Sequence, residues 1–261
     1  MSLPKMKNSE APWDSFDPQA YNKQYEGHII WEDTGLGRAT ISMLRALGSS
    51  GLALRSIERG ADVCNSGIPR GPALIAPYIA DGGSLHWIDY AQPQIVEAQN
   101  TIRNGRLGNL GDWAIHQTDM GIFDTAWAGA VFRACELGEA VSCSIFELPE
   151  DEYGIASTWF GPESLTEDPD EWAQATRCLI RSVQKSGGLA IIGSMYGSTG
   201  YDSAGVTLPA TPIYQEDVLR IAEDEGLVRL QAYTVLASHA ARPTDDPFTY
   251  EAMGVVMGIR T

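Results

Sequence analysis

Gly60-Ala61-Asp62-Val63-Cys64-Asn65-Ser66-Gly67-Ile68-Pro69-Arg70-Gly71 opens as a short extended run, Gly60 to Cys64, and breaks into a turn. An apolar, helix-like stretch follows from Ala73 to Ile79, and Ser84-Leu85-His86-Trp87-Ile88-Asp89 reads as a second strand ending in an acid. Strand, turn, helix and strand make the repeating unit of a parallel sheet. Open sheets of this kind bind ligands at the carboxyl ends of their strands, where the strand order reverses. Gly67 allows backbone N–H groups to approach a ligand closely, and the helix behind it offers its positive end. Asn65 and Gly67 are therefore candidate binding residues, with a plain turn as the alternative. Asp89 stands where a carboxylate accepts the two hydroxyls of a ribose; an ordinary strand-end acid is the alternative.

Outward from that unit, the alternation of strand and helix continues. Toward the N-terminus, a helix is expected over Leu36 to Leu47, where Ala39, Met43, Leu44 and Leu47 recur at helical spacing. Residues 1–15 are polar and read as a flexible lead-in. Toward the C-terminus, Gln92 to Asn104 reads as a helix with Pro93 in its first turn. Helix Ala128 to Leu137 and strands Glu139 to Phe146 and Tyr153 to Phe160 follow. Asp170 to Ser186 is expected as a helix with Trp172, Ala175, Leu179 and Val183 on one face. Leu189 to Met195 is a nearly all-apolar strand, as suits a strand covered on both sides. A Gly- and Tyr-rich loop, Tyr196 to Pro212, leads to helix Gln215 to Glu225 and strands Leu227 to Leu236 and Ala252 to Ile259. No helix separates those last two, so the final strand is expected antiparallel. The expected fold is α/β: a Rossmann-like, mostly parallel sheet with helices on both faces, in one domain over residues 16–261.

The chain has 261 residues and a formal charge of -16. That balance excludes a protein that wraps nucleic acid by neutralising phosphates, and one that docks on an anionic membrane. Cys64, Cys135, Cys143 and Cys178 form no CxxC pair, so buried free thiols are expected. The scattered histidines show no metal-ligand spacing, and no metal is expected. No apolar run has the length of a signal peptide or a membrane span. The expectation is a soluble, cytoplasmic protein that acts on something small.

A glycine turn followed by a strand-end acid is common to folds that bind NAD and folds that bind S-adenosylmethionine (SAM). The turn lacks the GxGxxG that a pyrophosphate needs, and the closing pair of strands matches the class I methyltransferase layout. The chain also resembles the small-molecule methyltransferase family that contains the nicotinamide, phenylethanolamine and thioether/indolethylamine methyltransferases. The resemblance begins at Phe16-Asp17-Pro18-Gln19-Ala20-Tyr21-Asn22-Lys23-Gln24-Tyr25, similar to the family's FxPxxYLxxYY segment. It implies that Tyr21 and Tyr25 form part of a lid, within residues 16–48, over bound SAM; four apart, they read alternatively as a core-facing aromatic stripe. Asp89-Tyr90 matches the family's DY, implying a ribose contact and adenine stacking. Cys143-Ser144-Ile145 stands where the family places a triplet beside the adenine, and Ser157-Thr158-Trp159 where it faces the methionine part. Lys185-Ser186-Gly187-Gly188 differs by one residue from the usual KPGG. Tyr201 matches a tyrosine near the family's acceptor.

The resemblance implies transfer of a methyl group from SAM to a small acceptor, at nitrogen or sulfur, by a monomer or homodimer. Trp159, Phe160, Tyr196 and Tyr201 are the candidates for the acceptor side. For Tyr196 and Tyr201, a plain surface loop is an equal alternative. No catalytic residue is assigned. The family's D-x-G-x-G is altered here, with Asp62 one residue early and Cys64-Asn65-Ser66-Gly67 after it. That change keeps two other readings open: an enzyme that cyclises SAM's own aminobutyrate chain with release of methylthioadenosine, and a non-catalytic SAM- or NAD-binding protein.

Overall fold

The computed structural model describes residues 5–21, 31–48, 53, 55–108, 129–203, 205–237 and 250–261. Its strands are β1 (Ile57–Val63), β2 (Ile79–Asp89), β3 (Gly138–Ser142), β4 (Ile155–Trp159), β5 (Leu189–Tyr196), β6 (Gly200–Ser203), β7 (Val206–Pro209), β8 (Leu227–Leu236) and β9 (Ala252–Arg260). Its helices are α1 (Trp31–Gly48), α2 (Arg70–Ile75), α3 (Gln92–Arg106), α4 (Ala130–Leu137), α5 (Pro169–Ser182) and α6 (Gln215–Asp224).

Seven strands form one sheet in the order β3-β2-β1-β4-β5-β9-β8, and β6 with β7 makes a separate hairpin. The strands from β3 to β5 are mutually parallel. β9 runs antiparallel to both of its neighbours, β5 and β8, as expected for the last strand. Every residue of β5 is buried, which explains its apolar run. Leu36 and Leu44 of α1, Leu74 of α2, Ile102 of α3 and Val131 of α4 pack on one face. Trp172 and Leu179 of α5, with Val218 and Ile221 of α6, cover the other.

Several boundaries depart from the sequence reading for local physical reasons. The third strand stops at Ser142, because Ser144 Oγ accepts the Phe146 N–H (3.3 Å) and winds Ile145–Glu147 into a 3-10 turn. α5 stops at Ser182 rather than Ser186, since Val183 leaves the helix to bridge Tyr153. The Arg260 guanidinium then takes the carbonyls of Arg181 (2.6 Å) and Val183 (2.7 Å), satisfying acceptors that a helix end leaves open. In α1 the buried stripe is Leu36, Ile41, Leu44 and Leu47, whereas Ala39 and Met43 are only half-buried. All four cysteines are free thiols, but only Cys135 is fully buried. Among the described residues, no helix is long and apolar enough to cross a membrane.

Where it is described, the lead-in is tied to the rest of the chain by hydrogen bonds. Met6 N–H reaches Glu167 Oε2 (2.8 Å), and Asn8 N–H reaches Glu171 Oε2 (2.9 Å). Residues 5–21 thus form a strap across the sheet's carboxyl edge, with 3-10 turns at Asn8–Glu10 and Trp13–Ser15.

Gly254 of β9 lies under the Tyr196 ring, where an added Cβ would sit 2.5 Å from Cζ. Gly254→Ala is expected to cost about 1–3 kcal/mol, the usual price of overpacking. Urea unfolding reads it directly; an unchanged midpoint would mean the ring can swing aside.

Candidate functional site

The chain steps outward from β1 to β2 and β3, then returns to the other side of β1 for β4. Strand order therefore reverses between β1 and β4, the place where open sheets leave a crevice. A cleft partly open to solvent lies over these carboxyl ends.

The turn after β1 is built by one side chain. Asn65 Nδ2 donates to Asp62 Oδ2 (2.6 Å) and to the Ile68 carbonyl (3.2 Å), while its Oδ1 accepts the Gly67 N–H (2.8 Å). Asp62, buried, also accepts from Ser157 Oγ (2.5 Å), which ties β1 to β4. Gly67 has φ +84° and packs against α3, where a Cβ would lie 2.7 Å from Glu97 Cγ. Asn65 and Gly67 hence shape the turn, and Cys64 and Ser66 are the turn residues that line the cleft. Cys64 takes φ 60°, a left-handed conformation that costs a side-chain-bearing residue roughly 1–2 kcal/mol. Its thiol is pushed well above the usual range, by burial first and then by the charges of Asp89, Asp62 and Glu163.

At the end of β2, Asp89 lines the cleft and its Oδ1 accepts the Ala91 N–H (2.9 Å). Burial raises its carboxyl to about 7, against hydrogen bonds from Ala91 and Tyr90 that lower it. Beside it, Gln94 in the first turn of α3 is 5% exposed, lines the same cleft, and leaves Oε1 without a partner. Buried polar atoms are almost always paired, so an orphaned acceptor facing a cleft marks a place for a ligand's donor. The Tyr90 ring is 66% exposed at the rim. Ser144 and Ile145 complete this side.

The other half of the cleft comes from the exit of β4. Trp159 and Phe160 stand edge to face, centroids 6.5 Å apart, and Phe160 is held at φ 60°. Left-handed non-glycine residues carry strain that tends to gather at functional sites, and both Cys64 and Phe160 line this cleft. Gly161 makes room for Cys64: a Cβ there would lie 2.6 Å from Cys64 Cβ and from Thr158 Oγ1. Gly161→Ala is accordingly expected to shift the Cys64 turn and to cost about 1–3 kcal/mol of stability, the usual range for overpacking. Differential scanning calorimetry on the variant decides it, and wild-type stability would show that the turn absorbs the methyl group.

The strap closes one wall with Asn8, Trp13, Phe16 and Tyr21. Phe16 and Tyr21 rings pack at 5.2 Å, and Trp13 Nε1 donates to the Asn8 carbonyl (3.0 Å). Tyr201 of β6 also lines the cleft, its hydroxyl pushed up by burial and then by Tyr21, Glu163, Asp89 and Cys64.

Of the residues singled out in the sequence, the structure brings Tyr21, Asp89, Tyr90, Ser144, Ile145, Trp159, Phe160 and Tyr201 to the cleft. Thr158 is not among its lining; its Oγ1 donates to the Val63 carbonyl (2.9 Å) and joins β4 to β1. Tyr196 is buried on the opposite face of β5, its ring over Gly254, while its neighbour Met195 lines the cleft. Tyr25 lies outside the described residues.

The sequence reading missed Gln94, the strap residues Asn8 and Trp13, and Glu163. Glu163 is fully buried behind Ser164 and Met195; its Oε1 accepts the Met195 N–H (2.7 Å) and its Oε2 has no partner. Burial raises its carboxyl to about 8.

No protein-family model and no curated protein matches the chain in sequence. Among solved structures it is similar to a SAM-dependent methyltransferase from Aquifex aeolicus: 15% identity over 95% of this chain and 100% of that one, TM-score 0.50. A SAM-dependent methyltransferase from Methanosarcina mazei shares 12% identity over 81% of this chain and 96% of its own, TM-score 0.50. A possible exported protein from Bordetella parapertussis shares 10% identity over 95% and 80%, TM-score 0.54. The likeness is one of fold, and the fold is the class I methyltransferase fold.

Proposed function

We propose that this chain is a SAM-dependent methyltransferase that methylates a small acceptor at nitrogen or sulfur. The observation that carries the reading is the pairing, in a cleft at the switch of strand order, of a strand-end carboxylate with a buried, unpaired amide oxygen. Asp89 and Gln94 suit the two hydroxyls of an adenosine sugar, each acceptor meeting a donor. Tyr90 offers a face for the adenine, with Ser144 and Ile145 at its edge. Cys64 and Ser66 border the methionyl end, and Tyr21, Trp159, Phe160 and Tyr201 surround the sulfonium region with aromatic faces.

Bound SAM supplies an electrophilic methyl group on sulfur. The protein's own part is alignment and exclusion of water. Trp159 and Phe160 fix one wall, and the strap with Tyr201 shields the centre from solvent. Among the described residues, the cleft lining is aromatic, apolar or polar without a basic side chain. An uncharged nitrogen or sulfur acceptor suits that lining. The resemblance at Tyr21, Asp89-Tyr90 and Tyr201 to the nicotinamide, phenylethanolamine and thioether methyltransferases supports the same class.

Calorimetry with SAM, S-adenosylhomocysteine and NAD tests the cofactor. Binding of the first two without NAD is expected, and NAD binding without SAM overturns the reading. Incubation with SAM and a panel of neutral amines, pyridines and thioethers tests the reaction. S-adenosylhomocysteine should accumulate with acceptor; methylthioadenosine above a protein-free control would instead establish cyclisation or cleavage of SAM.

A further inference from the structure

We propose that Glu167 and Glu171 latch the strap, residues 5–21, shut over the cleft, and that release of this latch sets the rate of ligand exchange. The ligand part of this inference rests on the SAM reading above. The latch itself does not.

Asn8, Trp13, Phe16 and Tyr21 are part of the cleft's wall, so movement of the strap widens the way in and out for a ligand seated behind them. The strap's hold is unlike the rest of the fold. Neither of its 3-10 turns contains a buried residue, and its buried residues are Phe16 and Pro18. Segments with few buried contacts open at the lowest free energies in a protein. What fixes the far end is a reciprocal set of hydrogen bonds. Glu167 Oε2 accepts the Met6 N–H (2.8 Å) while the Met6 carbonyl accepts the Glu167 N–H (2.8 Å). Glu171 Oε2 accepts the Asn8 N–H (2.9 Å).

The receiving side is rigid by comparison. Thr166 is fully buried; its hydroxyl donates to Glu171 Oε2 (2.7 Å), with the Met6 carbonyl also within reach (3.2 Å), and its own carbonyl accepts from Thr211 Oγ1 (2.6 Å). Glu171 belongs to the first turn of α5 and therefore cannot follow the strap outward. Two carboxylates on a fixed frame holding two backbone N–H groups of a shallowly packed segment form a clasp that parts without disturbing the core. Bonds to charged acceptors are stronger than neutral ones, which keeps the resting state closed. Glu167 and Glu171 are positioning residues in this scheme, because they act on the cleft through the strap.

The test compares Glu167→Ala/Glu171→Ala, the single Glu167→Ala, and Asp170→Ala as a control on an exposed acid of the same helical turn. Circular dichroism establishes that each folds. Lys5 and Lys7 provide tryptic sites within the strap. Mass spectrometry should find the N-terminal peptide released about tenfold faster from the double variant, with the single variant between, as expected for loss of about 1.4 kcal/mol of hold. Stopped-flow kinetics with S-adenosylhomocysteine should show both association and dissociation accelerated about tenfold, since one opening step governs entry and exit. Asp170→Ala should match wild type in both assays. Unchanged cleavage in the double variant overturns the latch. Faster dissociation at an unchanged association rate also overturns it, because a strap that is merely a wall affects exit alone. Failure of wild type to bind S-adenosylhomocysteine, with cleavage still accelerated in the variant, would remove the SAM reading and leave the latch standing.

Discussion

Asp89→Ala is expected to weaken SAM binding by roughly 1.5–3 kcal/mol, about 10- to 150-fold in Kd, the range for hydrogen bonds to a charged group. The carboxylate lies at the end of β2, where it lines the cleft beside Gln94. Its removal leaves one sugar hydroxyl short of its acceptor, with Gln94 still meeting the other. Asp89→Asn separates charge from shape: it keeps an acceptor oxygen yet adds donors, so it should fall between Ala and wild type. Because burial holds this carboxyl at about 7, affinity should also rise with pH through neutrality as the ionised, stronger acceptor becomes populated. Calorimetry at pH 6 and pH 8 measures both effects. Equal affinities for wild type and Asp89→Ala would place the sugar elsewhere in the cleft.

The unliganded protein should lose stability as pH rises toward 8, and Glu163 should be a large part of the cause. Its carboxyl is raised from 4.5 to about 8 by burial. Between those values the folded state keeps a proton that the unfolded chain has released. The stabilisation is thus fully present below pH 4.5 and is lost progressively as pH approaches 8, at roughly 1.4 kcal/mol per pH unit. Asp62, raised to about 7, acts in the same direction over a slightly lower window. Glu163→Gln retains an oxygen for the Met195 N–H but cannot titrate there. Urea unfolding at pH 5, 6.5 and 8 should show wild type falling steadily behind this variant. A constant difference would mean that the carboxyl meets water and ionises normally.

Much of the fold was legible because the signals were local. The Asn65-Ser66-Gly67 turn, the apolar run from Leu189 and the acid at Asp89 announce a parallel sheet and its binding edge without tertiary information. Parity along a strand was harder. Thr158 and Trp159 are adjacent, as are Met195 and Tyr196, and neighbours in a strand face opposite sides. Which of each pair meets the cleft depends on how the strand is seated, which the apolar runs do not reveal. Gln94 and Glu163 escaped notice for another reason: a polar residue in a helix or turn looks the same whether solvated or sealed. The strap's attachment was not legible because it uses backbone N–H groups of Met6 and Asn8, which leave no mark in residue type.

The position of β9 also bears on how the protein is made. β9 follows β8 in the chain, yet it inserts between β8 and β5. Until residues 252–260 have emerged from the ribosome, β5 and β8 each present a bare strand edge with no partner to fill the gap. Nascent intermediates with two such edges are prone to join neighbouring chains, so folding yield should depend on how quickly that late segment arrives.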